Sequence, residues 1–221
     1  NRNIKKLEFF KQHFMLKYID ANEVKFMKLA LFGVPGNMGS EVFKTVVKED
    51  YIEEISLLVF SKKGLGSLLN FAKKHNKKVR VVYDSVADIE KVREAIKGVD
   101  YLVNMAAVIP PESDKYPLRA IEANEIGPKV IVQAIEELGD KQPKFIRTST
   151  IGIYGDRNHN HPFAEVGDPL LLSPFDLYAV TKMRGEFTVL ESNVKTWAII
   201  RQAAMLYDKL LMKNVSDGLL F

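Results

Sequence analysis

The chain contains no cysteine, which excludes disulfide staples, thiolate zinc sites, iron–sulfur clusters and cysteine nucleophiles by counting alone. No apolar run approaches the ~20 residues of a membrane-spanning helix, and the N-terminus lacks the basic, apolar, small-residue order of a secretory signal. Strong charge is also missing. Lys and Arg number 32 and Asp and Glu 28, a net +4 over 221 residues. Residues 1–28 hold seven basic and three acidic groups, which accounts for all of it. The body is therefore neutral, whereas a nucleic-acid binder carries a basic stripe on its folded part. These absences lead us to expect a soluble, cytoplasmic protein, with neither nucleic acid nor membrane as a partner. What is present is 47% hydrophobic residues, enough for one sizeable core.

Residues 4–19 place Ile4, Leu7, Phe10 and Phe14 near one side at helical spacing, with lysines elsewhere. This predicts an amphipathic helix that packs on the domain or on a sister subunit, the latter as a homodimer. From Met27 onward, apolar runs of strand length alternate with helix-period segments. The strands are expected at Lys28–Phe32, Ile55–Phe60, Val79–Tyr83, Tyr101–Met105, Phe145–Ser149 and Trp197–Arg201. Helices are expected at about 38–48, 66–75, 87–97, 117–138 and 174–191. Continuous apolar strands joined by long crossovers imply a parallel sheet covered on both faces. The expected fold is therefore α/β, a doubly wound Rossmann-type parallel sheet of about six or more strands with an N-terminal helical extension. Trp197 and the phenylalanines are read as core.

The strongest local pattern follows the first strand, where Gly33, Gly36 and Gly39 are spaced Gly-x-x-Gly-x-x-Gly, with Asn37 and Met38 between, before a helix. Glycines there permit a tight turn and close approach to a pyrophosphate, and the helix N-terminus offers free N–H groups to the anion. No Gly-Lys-Ser/Thr follows, so this is not a Walker loop. After the second strand, where such folds place an acid for the adenosine ribose, the chain reads Ser61, Lys62, Lys63. No acidic residue occurs from Ile55 through Tyr83. A hydroxyl and an ammonium suit a 2'-phosphate, so NADP is preferred over NAD.

Further along, Ser173-Pro174-Phe175-Asp176 reads as a helix start capped by Ser173. Tyr178 and Lys182 then share one face at i and i+4, where an ammonium favours the ionised phenol for acid–base work. His159 and His161 form His-x-His beside Asp156 and Glu165. A metal site needs three or four convergent ligands; the segment reads as a surface loop and no metal is expected.

Taken together, the glycine turn, Asp84 after strand three, Asn104-Met105-Ala106-Ala107, Ser149-Thr150 followed by Ile153-Tyr154-Gly155, and Tyr178-Ala179-Val180-Thr181-Lys182 resemble the extended short-chain dehydrogenase/reductase family, also called the NAD-dependent epimerase/dehydratase family. The resemblance covers about residues 27–207. It implies Tyr178 as catalytic acid/base, Lys182 as the group that depresses its pKa and holds the nicotinamide ribose, and Thr150 as the hydroxyl on the substrate oxygen. It implies Gly33, Gly36, Asn37, Met38 and Gly39 at the pyrophosphate; Ser61 and Lys62 are expected at the adenosine ribose from their position after the second strand. Asp84 and Ser85 fall at the adenine, and Ala106 and Ala107 at the ribose wall. Asn124, before Gly127, matches a helix asparagine with a structural or a catalytic role. Phe32 replaces the usual threonine, Asn104 a frequent histidine, and Gln202 the proline that usually follows Arg201.

The implied activity is hydride transfer between a nicotinamide and a carbonyl, alcohol or nucleotide-sugar substrate. The alternative is a regulator that binds NAD(P) without turnover. Domain boundaries are expected as an N-terminal helical extension at 1–26, a dinucleotide-binding domain at 27–207, and at 208–221 the start of an incomplete C-terminal substrate region.

Overall fold

The computed structural model describes residues 26–155 and 163–203. The expected helix at 4–19, His159, His161 and the region 208–221 lie outside them. Among the described residues six strands form: β1 (Met27–Phe32), β2 (Ile52–Val59), β3 (Lys78–Tyr83), β4 (Tyr101–Asn104), β5 (Lys144–Thr150) and β6 (Trp197–Gln202). They pair in the order β3-β2-β1-β4-β5-β6, every pair parallel. The expected doubly wound sheet is thus observed.

Its cause is visible in β1, which is apolar on both faces. Leu29 and Leu31 pack with Phe43 and Leu65 on one side of the sheet. Ala30 and Phe32 pack with Phe145, Ile131 and Val92 on the other. A strand with two apolar faces needs a helix layer on each. Helices α1 (Asn37–Val46) and α2 (Leu65–Lys74) serve the first core, and α3 (Ile89–Ile96) and α6 (Gly127–Glu136) the second. Between β4 and α6 run two short helices, α4 (Glu112–Lys115) and α5 (Pro117–Ile121), and α7 (Leu177–Leu190) precedes β6.

Three expectations need correction. The single helix over 117–138 is instead α5, a π-turn at Glu122–Ile126 and then α6. Pro128 has no N–H for the Asn124 carbonyl four residues earlier; Arg147 Nη2 on β5 donates to that carbonyl instead, at 2.9 Å. Gly127 fits this segment because a Cβ there would lie 2.5 Å from Val86 Cγ2. Next, α7 is capped by Asp176, not Ser173. The Asp176 carboxylate accepts from Ala179 N at 2.9 Å, while the Ser173 hydroxyl accepts from Phe175 N in the preceding turn. Finally, Trp197 is 39% exposed where β6 begins, and Phe60, Phe163 and Phe175 are exposed as well, whereas Phe32, Phe43 and Phe145 are core.

Strand order reverses between β1 and β4. Connections leaving the C-terminal ends of these two strands diverge, which opens a crevice at that rim.

Candidate active site

The glycine turn occupies the crevice. Gly33 has φ +85°, and a Cβ there would lie 2.6 Å from Ala106 N on the β4 side. At Gly39 a Cβ would lie 2.2 Å from the Gly33 carbonyl oxygen. Only glycine lets the start of α1, the turn and the segment after β4 approach this closely. Gly36 N donates to Gly33 O at 3.1 Å, and α1 then begins without a side-chain cap and with no acid in its first turn. The first-turn N–H groups of Asn37, Met38 and Gly39 have no partner within the helix. Their partial positive charge is left for an anion.

A cleft of about 280 Å³ opens beside this turn. Among the residues predicted from sequence, Gly33, Gly36, Ser61, Asp84, Ser85, Ala106 and Ala107 line it. Asn37, Met38, Gly39, Lys62, Tyr178 and Lys182 do not form its walls. The Lys62 ammonium instead lies 5.1 Å from the centroid of the Tyr83 ring. Sequence reasoning missed Phe60, Arg119 and Glu122, which also line the cleft. Ser85 Oγ donates to Glu122 Oε1 at 2.6 Å, so the end of β3 is tied to the π-turn across 37 residues of chain. No local pattern announces Glu122, whose partner at the cleft, Ser85, is distant in sequence.

At the C-terminal end of β5 lies the second half of the site. Thr150 Oγ1 accepts from Gly152 N at 3.1 Å, and the Thr150 hydroxyl is hydrogen-bonded to the Tyr178 phenol. Tyr178 and Lys182 sit one turn apart on α7, with Tyr178 half-buried and Lys182 buried. Lys182 Nζ donates to the Thr148 carbonyl at 2.7 Å and so clamps α7 to β5. Burial, and secondarily the Arg147 guanidinium, bring the Lys182 ammonium down to about 7, against the opposing pull of Glu186. Burial pushes the Tyr178 phenol up; the Thr150 hydroxyl and Arg147 pull it down, and Asp176 pushes it up. Thr150, Tyr178 and Lys182 are thereby brought to one rim.

Asn124 is buried in the π-turn. Its Oδ1 accepts from Val108 N and its Nδ2 donates to Val108 O, both at 2.9 Å. Nδ2 also donates to Thr181 Oγ1 at 3.2 Å, one residue before Lys182. Asn124 therefore holds together the segment after β4 and the helix bearing the tyrosine and lysine.

A doubly wound sheet with a glycine turn at its switch point and a Thr-Tyr-Lys group on its rim defines a nucleotide-binding domain of the dehydrogenase kind. A model of the NAD dependent epimerase/dehydratase family matches residues 30–200, and the chain belongs to that family. It is 26% identical over 182 residues to a 3 beta-hydroxysteroid dehydrogenase/Delta 5→4-isomerase of Monkeypox virus, a match covering 80% of this chain and 49% of that protein. The UDP-Glc/GlcNAc 4-epimerase of Campylobacter jejuni superposes with TM-score 0.65 at 22% identity, covering 79% of this chain and 53% of that one. The Bordetella bronchiseptica enzyme WbmG, solved with NAD and UDP, gives 0.62 at 21%, covering 80% and 53%. These likenesses establish the fold. The chain spans about half the length of the curated relatives it matches. Among the described residues no helix is long and apolar enough to cross a membrane.

Proposed function

We propose that the chain is the dinucleotide-binding part of an NAD(P)-dependent oxidoreductase or epimerase/dehydratase acting on a carbonyl, alcohol or nucleotide-sugar substrate. The observation that carries this reading is the meeting of Thr150, Tyr178 and Lys182 at the rim beside a crevice that only glycines leave open. Such a crevice fits a dinucleotide: the α1 N-terminus offers N–H groups to the pyrophosphate, and Ser61, Asp84, Ser85, Ala106 and Ala107 line the path toward the adenosine. A bound nicotinamide supplies the hydride chemistry, which no side chain can. Tyr178 Oη exchanges a proton with the substrate oxygen. The Thr150 hydroxyl, which is hydrogen-bonded to the Tyr178 phenol, turns its O–H to that same oxygen when substrate is bound, orienting it and stabilising charge that develops there. Lys182, pinned to β5, fixes the helix turn that carries Tyr178.

The test is Tyr178→Phe. Loss of turnover with dinucleotide affinity retained supports the proton-transfer role, and full activity refutes it. For the dinucleotide itself we favour NADP. Ser61 lines the cleft and Lys62 follows it, with no acid at the end of β2. NADP then raises the melting temperature more than NAD at matched concentration, by mass action on the folded state, and Lys62→Ala removes the difference. An equal or larger shift with NAD overturns that preference.

A further inference from the structure

The cleft wall holds a carboxylate that the fold fixes at one oxygen and leaves free at the other. Glu122 lines the cleft from the π-turn and is half-buried. Ser85 Oγ donates to Glu122 Oε1 at 2.6 Å and itself accepts from Ala87 N at 3.2 Å. With a backbone N–H directed at the hydroxyl oxygen, the hydroxyl proton is left for the carboxylate, so the polarity of the chain Ala87–Ser85–Glu122 is set. Among the described residues no further hydrogen bond or ion pair reaches the Glu122 carboxylate. Arg119, three residues earlier and on the same cleft wall, makes no ion pair with it; its guanidinium carbon lies 4.9 Å from the centre of the Tyr116 ring.

A carboxylate accepts hydrogen bonds and donates none, so the free oxygen calls for an N–H or O–H donor on whatever fills the cleft. The surroundings narrow that donor. Leu58, Val86 and Met105 are buried apolar side chains of the same walls. They suit the face of a flat ring and not a sugar, whose hydroxyls would lie against them unpaired. Gly33 and Gly36 border the cleft where the α1 N–H groups suit a pyrophosphate. The second carboxylate on the cleft, Asp84, is exposed, and its Oδ1 is turned back onto its own loop, where it accepts from Ser85 N at 2.7 Å.

We propose that Glu122 selects the purine: its free oxygen accepts from the exocyclic 6-amino group of adenine, so that the cleft takes 6-aminopurine dinucleotides and rejects 6-oxopurine ones. The proposal rests on the reading of this cleft as the dinucleotide site and adds to it a residue that reads the base. It moves to the π-turn a task that the sequence resemblance gives to Asp84. Ser85 is the positioning residue, since its hydroxyl holds one carboxylate oxygen and thereby aims the other. A 6-oxopurine brings a carbonyl oxygen to the same place. It offers the carboxylate no proton and sets one acceptor against another, and a site built to receive an N–H rejects an analogue that lacks it.

The experiment measures dissociation constants by nicotinamide fluorescence for reduced NAD and reduced NADP, each beside its analogue with hypoxanthine in place of adenine, which leaves the nicotinamide signal unaltered. The chains compared are the native one, Glu122→Gln, Glu122→Ala and Asp84→Asn, each checked for fold by circular dichroism. The native chain should bind the adenine form about tenfold more tightly or better, as expected for a hydrogen bond to a charged acceptor. Glu122→Ala should bring the two forms to within about twofold of each other. Glu122→Gln should do the same or favour hypoxanthine, because its amide can donate to the 6-oxo group. Asp84→Asn should keep the native preference. Equal binding of the two forms by the native chain, a preference untouched by the Glu122 substitutions, or a loss in Asp84→Asn as large as that in Glu122→Ala overturns the proposal. If one Glu122 variant does not fold, the other decides by the same criterion. A native chain that binds none of the four compounds removes the dinucleotide reading and this proposal with it, whereas tight binding without discrimination leaves that reading standing and overturns the proposal alone.

Discussion

The Asn124 side-chain amide grips both polar backbone groups of Val108, N–H and C=O, at 2.9 Å each. This is the pairing one strand residue makes with its neighbour in a sheet, here supplied by a side chain at a helix break. It fixes the segment after β4 that forms one wall of the crevice. Asn124→Ala leaves the part-buried backbone groups of Val108 without these partners, and a group unpaired in a buried site costs about 1–3 kcal/mol, less where solvent reaches it. The expected loss is about 1–3 kcal/mol in urea unfolding, with dinucleotide affinity weakened. Asn124→Asp, which keeps the acceptor for Val108 N and removes the donor to Val108 O, should fall below native stability as well. A variant with native stability would show that solvent satisfies Val108 and that Asn124 is not structural.

A methyl group collides at two glycines of the turn and meets nothing at a glycine of α2. At Gly33 a Cβ meets Ala106 N at 2.6 Å on a backbone of φ +85°, and at Gly39 it meets Gly33 O at 2.2 Å. At Gly66, inside α2, nothing lies within 4 Å. Gly33→Ala and Gly39→Ala should each cost more than about 2 kcal/mol through backbone strain and overpacking and should abolish dinucleotide binding measured by nicotinamide fluorescence. Gly66→Ala should gain about 0.5 kcal/mol through lower chain entropy in the unfolded state. Thermal melts of the three variants check the ranking.

Much of this architecture is legible in the sequence, and what is not has identifiable causes. All six strands follow from apolar runs, because a strand buried on both faces leaves a continuous hydrophobic signature. The start of β2 is hidden since Glu53 and Glu54 look like a loop; Glu54 joins the sheet by pairing with Lys78 of β3 at 2.7 Å, a contact no local pattern reveals. The π-turn inside residues 117–138 leaves the Asn124 carbonyl facing Pro128, and the group that satisfies it, Arg147, comes from another strand. Within the site, the glycines and the Tyr178–Lys182 spacing are local patterns and can be read directly. Arg147 cannot. An arginine in Phe145-Ile146-Arg147-Thr148 does not say whether it is buried; in the fold its guanidinium occupies the space left by Gly185 of α7 and donates to the Lys182 and Asn124 carbonyls. The one sequence hint is that both residues are out of place for their elements: a charge in mid-strand and a glycine in mid-helix.

Lys182 should make stability depend on pH. Its ammonium is brought down to about 7 in the folded state, below the ordinary lysine value of 10.5 in the unfolded chain. Between these two values the unfolded state binds more protons, so stability rises with pH across that window, by up to about 1.4 kcal/mol per unit. Below pH 7 both states are protonated and the native state bears the full burden of a buried cation. Tyr178 acts oppositely but at the upper end: its raised phenol pKa makes the native state hold its proton longer, so its contribution is lost above pH 10. The difference in unfolding free energy between the native chain and Lys182→Met, measured by urea titration from pH 6 to 10, should therefore grow in favour of the native chain. A flat difference would place the Lys182 pKa near its ordinary value.

On α7, one turn beyond Lys182, the Glu186 carboxylate is 1% exposed and receives three hydrogen bonds from Arg201 of β6, the shortest at 2.8 Å. Arg201 also donates to the Tyr154 hydroxyl, and its guanidinium carbon lies 5.0 Å from the centre of that ring. The pair joins the edge strand to the helix that carries the reactive tyrosine. Removing one partner of such a pair leaves a buried charge uncompensated, at a cost of about 3–5 kcal/mol. Arg201→Met should approach that loss, because the carboxylate it abandons is the more deeply buried partner. Glu186→Gln should cost less, since the amide keeps a hydrogen-bond acceptor for the guanidinium, which is itself partly exposed to solvent. If the two variants are equally stable, the exposed side of the pair controls its strength and β6 is held to the domain chiefly by its ladder with β5.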